Sequence, residues 1–321
     1  MPRLASVAAA LALFTAVATA SNVTAVITGY PWLENLWFDG TGNLFASDLY
    51  HGRVLRLTRD AATGAVDTQV WFGPIDGRVL GIAASPLPGH VAVNVMYYNG
   101  TNFVALLSTS TPFVTSVISY IPQNGNGLAY NPTTGWLYST YEGDFLPLMG
   151  EIFAMRVDNS TGVAPGGANV FQNLMFCTDG AFVDVPTQQL YISSSVGHEI
   201  LVYNVSNAAT ANTSAATFVK KFHPKDFLSL DDFCVTHNLP RGRAPGSPPT
   251  VFAVDFVEGV VRYFAGDGSG GSTTVGKVPH FGTSVREPVG PGWAGRNSVF
   301  VTTGTLNKTG TEAGLYEVFL P

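Results

Sequence analysis

Acidic and amide side chains stand at the start of several short apolar segments of this chain. These residues are Glu34 before LWF, Asn126 in NGLAY, Asp179 in DGAFV and Asp231 in DDFCV. Hard cations such as Ca²⁺ bind about 6–8 oxygen ligands from carboxylates, carbonyls and water. Three carboxylates in one small space would repel one another unless a cation or protons compensated for their charge. If the fold brings these residues together, their types predict a site for a divalent cation.

The same residues mark a repeat that runs along the chain. The equivalent positions, each heading a short apolar strand, are Glu34, Leu80, Asn126, Asp179, Asp231 and Thr283, at intervals of 46 to 53 residues. In each repeat a second and a third strand follow, separated by turns rich in Gly, Asn or Asp. This period is typical of propeller blades. We therefore predict an all-β fold, a six-bladed β-propeller, whose innermost strands arrange the six head residues around the central channel.

The segment NVTAVIT, before the first repeat, has no blade of its own. We predict that it closes the ring as a strand of the sixth blade. Residues 21–321 would then form one propeller domain, because six blades of this size account for nearly all of that length.

The first twenty residues have the pattern of a secretory signal peptide. Arg3 precedes an apolar run from Leu4 to Val17, and Ala18-Thr19-Ala20 forms an A-x-A cleavage site. A membrane anchor is the alternative, but the run is shorter than the ~20 residues that a span needs. We expect a secreted, extracellular glycoprotein with no membrane span after signal cleavage. Six N-x-[ST] sequons agree with this, at Asn22, Asn99, Asn159, Asn204, Asn212 and Asn307.

The charge of the chain disfavours nucleic acid as a partner. The formal net charge is −6, and no cluster of Lys and Arg could neutralise a row of phosphates. We expect a monomer whose partner is a small molecule.

Taken singly, the head residues also fit ordinary turn chemistry, since Asp-Gly and Asn-Gly are common in turns. The set of four favours metal binding over turn capping. No cluster of Cys and His has the spacing of a zinc site, so the donor set predicts a hard ion, with Ca²⁺ as the expected one.

The segments ENLWFDGTGNLF, NGLAYNPTTGWLY and TDGAFVDVPTQQLY resemble the senescence marker protein / gluconolactonase / luciferin-regenerating superfamily. Its members are six-bladed propellers with an axial divalent metal, and many are lactonases. The resemblance implies that Glu34, Asn126 and Asp179 are metal ligands. The segment LDDFCV resembles the Asp-Asn pair that paraoxonases use as calcium ligands, which favours Asp231 and leaves the role of Asp232 open.

The chain departs from that family in its second blade. The lactonases carry an N-D-G motif there, which supplies a further ligand and a candidate acid/base Asp, but this chain has Val79-Leu80-Gly81. Either lactone hydrolysis has been lost, or a different residue transfers the proton.

Loops on the same face as the blade heads offer candidates for that residue. His51 and His198 lie in comparable loops, and histidine is the usual general base near neutral pH. Exposed turn histidines without a catalytic role are the alternative. Glu142, Asp144 and Glu258 lie in the same class of loop. A serine nucleophile finds no support, because the chain has no G-x-S-x-G motif.

The chain has two cysteines, Cys177 and Cys234. A disulfide is the default expectation in a secreted chain. Their positions in adjacent repeats differ by five residues, or roughly 16 Å along an inner strand, which is too far for a disulfide. We predict two free, buried thiols.

These observations lead to one functional prediction and two alternatives. We predict a secreted, Ca²⁺-dependent hydrolase of lactones or related esters. The first alternative is a non-catalytic binding propeller with a structural axial metal. The second is a condensing enzyme similar to strictosidine synthase, which needs no metal and therefore leaves the ligand column unexplained.

Overall fold

The computed structural model describes residues 22–113, 115–142, 149–207, 217–224, 227–242, 244, 246–269 and 271–321. The predicted signal peptide (1–20), Asp144 and the sequon at Asn212 lie outside these residues.

The described residues form 24 strands and no helix, arranged as six sheets of four strands each. Blade 1 contains β2 (Leu33–Phe38), β3 (Asn43–Asp48), β4 (Arg53–Arg59) and β5 (Val66–Phe72); blade 2 contains β6 (Gly77–Ala84), β7 (His90–Tyr97), β8 (Asn102–Ser108) and β9 (Thr115–Tyr120); blade 3 contains β10 (Leu128–Asn131), β11 (Trp136–Tyr141), β12 (Met149–Arg156) and β13 (Asn169–Phe176). Blade 4 contains β14 (Thr178–Asp184), β15 (Gln189–Ser194), β16 (Glu199–Asn204) and β17 (Thr217–Phe222); blade 5 contains β18 (Leu230–Thr236), β19 (Thr250–Asp255), β20 (Val260–Ala265) and β21 (Thr273–Lys277); blade 6 contains β22 (Phe281–Arg286), β23 (Ser298–Gly304), β24 (Ala313–Phe319) and β1 (Val23–Tyr30).

The six sheets close into a ring. The first strand of every blade contacts the first strand of the next, and β22 of blade 6 contacts β2 of blade 1. The N-terminal strand β1 pairs antiparallel with β24 and completes blade 6 from outside, with Val23 opposite Val318. The predicted six-bladed propeller and its closure by the N-terminal segment are both confirmed.

The apolar core lies between neighbouring blades and is divided into six clusters, one for each interface. At the closing interface, Leu36 of blade 1 packs with Phe300, Leu315 and Trp293 of the last repeat. The inner strands of each blade are therefore buried on both faces, which is why they read as nearly continuous apolar runs. This arrangement holds the inner strands at fixed positions around the channel.

The head residues lie at irregularities of the innermost strands. The pairing of β2 with β3 shifts between Leu33 and Leu36, and that of β14 with β15 shifts between Thr178 and Ala181. Similar shifts occur at the heads of β6, β18 and β22, and Asn126 comes just before β10. A β-bulge interrupts the alternation of a strand and re-aims a side chain. Carboxylates can therefore leave the ladder of a buried strand at these positions.

Hydroxyl groups on the second strands bind backbone amides at the blade heads. The hydrogen bonds run from Asn35 N to Ser47 Oγ (2.9 Å), from Gly127 N to Thr140 Oγ1 (2.7 Å) and from Gly180 N to Ser193 Oγ (2.7 Å). A buried amide without a partner is costly, so these hydroxyls stabilise the irregular backbone.

The glycine after a head residue is required by packing between blades. A Cβ on Gly81 would lie 2.1 Å from the carbonyl oxygen of Asn126, and one on Gly127 would lie 2.3 Å from that of Asp179. Each head thus rests against the backbone of the next head around the ring. Asp-Gly and Asn-Gly here reflect this close approach.

We predict that Gly127→Ala destabilises the propeller by about 1–3 kcal/mol, the usual cost of forcing extra volume into a packed interior. The added methyl group would meet backbone atoms of blade 4, which cannot rotate away. Gly166→Ala is the matched control, because its Cβ would meet nothing within 4 Å. Urea unfolding of the two variants measures the difference, and equal stabilities would contradict the packing argument.

The cysteines agree with the prediction of free thiols, but only in part with that of burial. Both are free, with Cys234 buried and Cys177 only partly buried.

Within the described residues, no helix is long and apolar enough to span a membrane.

Candidate metal centre

Four of the six head residues meet at one end of the channel. Asn126 Nδ2 donates a hydrogen bond to Asp179 Oδ1 (2.8 Å), and the side chains of Asp179 and Asp231 hydrogen bond to each other. Ser195 Oγ donates to the other oxygen, Asp179 Oδ2 (2.8 Å). Glu34 acts electrostatically on both aspartates from blade 1. Residues from blades 1, 3, 4 and 5 therefore form one polar cluster.

This cluster is almost closed to solvent. The exposed fractions are 7% for Glu34, 4% for Asn126, 5% for Asp179 and 5% for Asp231. Burial, the largest cause, raises the pKa of Glu34 to about 8 and raises the pKa values of Asp179 and Asp231 well above their usual range. Repulsion from neighbouring carboxylates raises the pKa values of all three groups further. Without a cation, protons must compensate for this charge.

One oxygen of the cluster has no protein partner. The amide oxygen of Asn126 is buried and accepts no hydrogen bond. An unsatisfied buried acceptor costs about 1–3 kcal/mol, and a bound cation would satisfy it. The donors from Glu34, Asn126, Asp179 and Asp231 are all oxygens, so the set fits a hard divalent ion.

The donors are not yet arranged as a cage. In the part of the chain that the structure describes, no three Asp, Glu, His or Cys side chains are placed to hold a metal ion. The carboxylates instead bind one another and nearby groups, since Trp32 Nε1 donates to Glu34 Oε2. An ion would have to replace the hydrogen bond between Asp179 and Asp231, and the metal site remains a prediction.

Two further residues act on this cluster: Glu142, which the sequence indicated only as one of several loop carboxylates on this face, and Arg78, which was not among the candidates. Glu142 hydrogen bonds to the Asn126 side chain, and its charge acts on Glu34, Asp179 and Asp231. Glu142 keeps contact with solvent, yet desolvation still raises the pKa of its carboxyl, while the charge of Arg78 lowers it. Arg78 directly precedes the Val79-Leu80 pair in the chain, which is the one signal that could have drawn attention to it.

Asp232 has a structural role. It forms a salt bridge with Arg286 (Oδ2 to Nη2, 2.8 Å) and accepts hydrogen bonds from Ser284 Oγ (2.6 Å) and the amide of Phe233 (2.8 Å). Both of its oxygens are thus engaged by blades 5 and 6. Its neighbour Asp231 hydrogen bonds to Asp179 in the cluster, which favours Asp231 as the proposed ligand of the pair.

The two histidine candidates are held in turns. His51 Nδ1 lies 2.9 Å from both carboxylate oxygens of Asp48, which also binds Arg53 Nε (2.7 Å). His198 has a φ of 49° and its Nδ1 lies 3.2 Å from the carbonyl oxygen of Phe227. The strongest electrostatic influences on the cluster come from other carboxylates and Arg78, and neither histidine is among them. These contacts favour the turn interpretation for both, and their catalytic roles stay predictions.

The raised pKa values predict how pH affects the metal-free protein. Between the ordinary glutamate pKa of 4.5 and the folded-state pKa of about 8, folded Glu34 holds a proton that the unfolded chain releases. The free energy of unfolding should therefore fall as pH rises from about 4.5 to 8. Ca²⁺ should reverse the loss, because its binding displaces those protons.

Urea unfolding in chelator at pH 5 and pH 8 measures this dependence. Glu34→Gln is the control, and it should reduce the loss of stability between the two pH values. Equal pH dependence in Glu34→Gln and the wild type would contradict the interpretation.

Comparison with solved structures relates this fold to known proteins. A luciferin-regenerating enzyme superposes with a TM-score of 0.65 at 14% identity, covering 92% of this chain and 94% of its own. A calcium-binding protein, regucalcin from Agrobacterium tumefaciens, gives 0.64 at 12% identity and 92% of both chains. A gluconolactonase from Xanthomonas campestris gives 0.63 at 16% identity, covering 93% and 89%.

No family model and no curated protein sequence matches the chain. At these identities the structural likeness concerns the fold. Within that limit, the fold that the resemblance implied is confirmed: this chain is a six-bladed β-propeller, similar in fold to the luciferin-regenerating enzyme, regucalcin and gluconolactonase structures.

Proposed function

We propose that this protein is a metal-dependent hydrolase of lactones or related esters, with Ca²⁺ as the expected ion. The observation that carries the proposal is the buried polar cluster of Glu34, Asp179 and Asp231 with Asn126, whose amide oxygen has no hydrogen-bond partner. Three buried carboxylates are costly to keep unless they hold a cation. The likeness in fold to a gluconolactonase and to a calcium-binding regucalcin supports the same reaction class.

Glu34, Asn126, Asp179 and Asp231 would hold the ion. When bound, a divalent cation supplies a Lewis acid that polarises the substrate carbonyl. Ser195 fixes the orientation of Asp179 by its hydrogen bond, and Trp32 fixes that of Glu34. These contacts hold the ligand carboxylates in place before a substrate arrives. Loss of a group that hydrogen bonds to a metal ligand typically lowers metal affinity by roughly 10–100-fold.

We assign the transfer of the proton to Glu142. It is the carboxylate of the cluster that keeps contact with solvent, and it lies close enough to Arg78 for their charges to interact. In the reaction, the oxygen of water adds to the carbonyl carbon and the acyl C–O bond breaks. Glu142 accepts one proton from the attacking water and returns it to the leaving oxygen. A general base of this kind contributes about 10²–10⁴-fold to the rate.

The second candidate function is ligand binding without catalysis, around a structural metal. It is favoured by Val79 and Leu80, which stand where the lactonases carry a polar pair. A panel of lactones and aryl esters, assayed with and without chelator, separates the two functions. Hydrolysis that chelator abolishes and Ca²⁺ restores would support the hydrolase. Bound metal without turnover of any substrate would support the binding function, and hydrolysis that is indifferent to chelator would contradict both.

A further inference from the structure

Four aromatic side chains lie on the channel face beside the metal centre. We call Trp32, Tyr50, Phe256 and Phe281 the aromatic cluster. Their ring centroids are 5.7 Å apart for Trp32 and Tyr50, 5.9 Å for Trp32 and Phe256, 6.2 Å for Trp32 and Phe281, and 4.9 Å for Phe256 and Phe281. The rings therefore form one contiguous apolar surface drawn from blades 1, 5 and 6.

The topology places this surface at the same end of the propeller as the blade heads. Trp32 directly precedes β2, and Phe281 is the first residue of β22. Tyr50 and Phe256 lie in the turns that join the second and third strands of blades 1 and 5. Because inner strands start at this face and second strands end there, all four rings surround the mouth of the channel on one side.

The aromatic cluster is joined directly to the candidate metal centre. The indole of Trp32 donates its N–H to the Glu34 carboxylate, and Trp32 is buried, with 7% of its surface exposed. Gly304 allows this placement, since a Cβ there would lie 2.3 Å from the indole ring. Tyr50, Phe256 and Phe281 are only partly buried, so part of each residue remains in contact with solvent.

The head of blade 2 is also apolar. Leu80 is partly exposed, whereas the residue before it, Val79, is fully buried. A polyhydroxylated sugar lactone would bury hydroxyl groups against these surfaces, and each unpaired group costs about 1–3 kcal/mol. An alkyl or aryl group would instead gain about 25 cal/mol for each Å² of apolar surface that it covers.

We infer that the substrate carries an alkyl or aryl group that packs on the aromatic cluster while its carbonyl lies at the metal centre. The substrate class is lipophilic lactones and esters, as distinct from sugar lactones. This inference rests on the proposed function for the reaction, but the binding preference can be measured without turnover.

Two lactams of the same ring size, which resist hydrolysis, test the preference in the presence of Ca²⁺. One carries an alkyl chain, and the other is gluconolactam. Calorimetry should give a dissociation constant at least about tenfold lower for the alkyl lactam, equivalent to about 1.4 kcal/mol. Phe281→Ala should weaken the binding of the alkyl lactam by about tenfold. The dissociation constant of gluconolactam should stay within about twofold of its wild-type value. Tyr120→Ala, which removes an exposed ring of the outer strand β9, should change neither.

Thermal unfolding shows whether Phe281→Ala is folded, and Phe256→Leu is the milder second variant. Equal affinities, tighter binding of gluconolactam, or no binding of either lactam would overturn the inference. Hydrolysis of the corresponding lactones in the same samples separates the two proposals. An alkyl preference without hydrolysis would overturn the proposed reaction and keep the aromatic cluster as a ligand site. Hydrolysis without an alkyl preference would support the proposed reaction and overturn the role of the aromatic cluster.

Discussion

Asp179→Asn is expected to abolish Ca²⁺ binding at micromolar concentrations of Ca²⁺. The same substitution is expected to make the metal-free protein more stable near pH 8. Asp179 contacts Asn126, Asp231 and Ser195, so its carboxylate stands at the centre of the cluster. Loss of an outer partner costs roughly 10–100-fold in metal affinity, and loss of a charged ligand should cost more. The same change removes a buried acid whose ionisation is opposed by burial and by Glu142 and Glu34.

These two opposite effects distinguish a metal ligand from a structural aspartate. The midpoint of thermal unfolding at pH 8, with chelator and with Ca²⁺, measures both. Asp184→Asn is the matched control, because Asp184 is buried at the other end of the same strand and binds His237 (2.9 Å) and Thr187 (2.5 Å). Asp184→Asn should lower the unfolding midpoint both with chelator and with Ca²⁺. The increase of the midpoint that Ca²⁺ causes should be the same as in the wild type. A full Ca²⁺ shift in Asp179→Asn would contradict the assignment.

Glu142→Gln is expected to lower kcat by about 10²–10⁴-fold, the usual contribution of a general base. The substitution keeps the shape of the side chain and its hydrogen-bonding reach to Asn126, but it cannot accept a proton. Affinity for Ca²⁺ should fall by about tenfold at most, because the four proposed ligands are intact and Gln can keep the hydrogen bond to Asn126. Steady-state kinetics on the best substrate of the ester panel, combined with Ca²⁺ calorimetry, measures the two quantities.

Glu258→Gln is the control for Glu142→Gln. Glu258 lies in the equivalent loop of blade 5, where its side chain binds Arg262 (3.4 Å). It should turn over substrate like the wild type. If Glu142→Gln loses affinity for Ca²⁺ in proportion to its loss of activity, Glu142 is a metal ligand and the assignment as base is wrong.

The repeat predicted the ring because each blade depends on local chemistry that is visible in the chain. A strand, a turn with Gly and a second strand recur at a nearly constant interval. Segment 22–28 lies outside these repeats, and it pairs with the outer edge of the sixth blade. The burial of the inner strands on both faces follows from the same apolar runs.

The details of the site depend on contacts between distant blades, which the repeat does not encode. Nothing local separates Asp231 from Asp232. The two differ because Arg286 and Ser284, more than fifty positions away, bind Asp232. Asp231 instead hydrogen bonds to Asp179. In the same way, Glu142 and Arg78 belong to different blades and meet at the cluster because blades 2 and 3 pack side by side.

The bulges at the blade heads are a second feature that the pattern of apolar residues conceals. An alternating strand would place Glu34 and Asn35 on opposite faces, and the shift of register changes where both side chains point. The Gly after Asn126 and Asp179 resembled a turn signal, but its physical cause is the backbone of the next blade.

Calcium binding by the wild-type chain tests the central claim most directly. Equilibrium dialysis of chelator-treated protein against Ca²⁺ at pH 8 should give one ion per chain, with binding that weakens as pH falls toward 5. Asp179→Asn should bind none under the same conditions. A wild-type protein that takes up no Ca²⁺, or that binds it equally in Asp179→Asn, would contradict the metal centre and the function built on it.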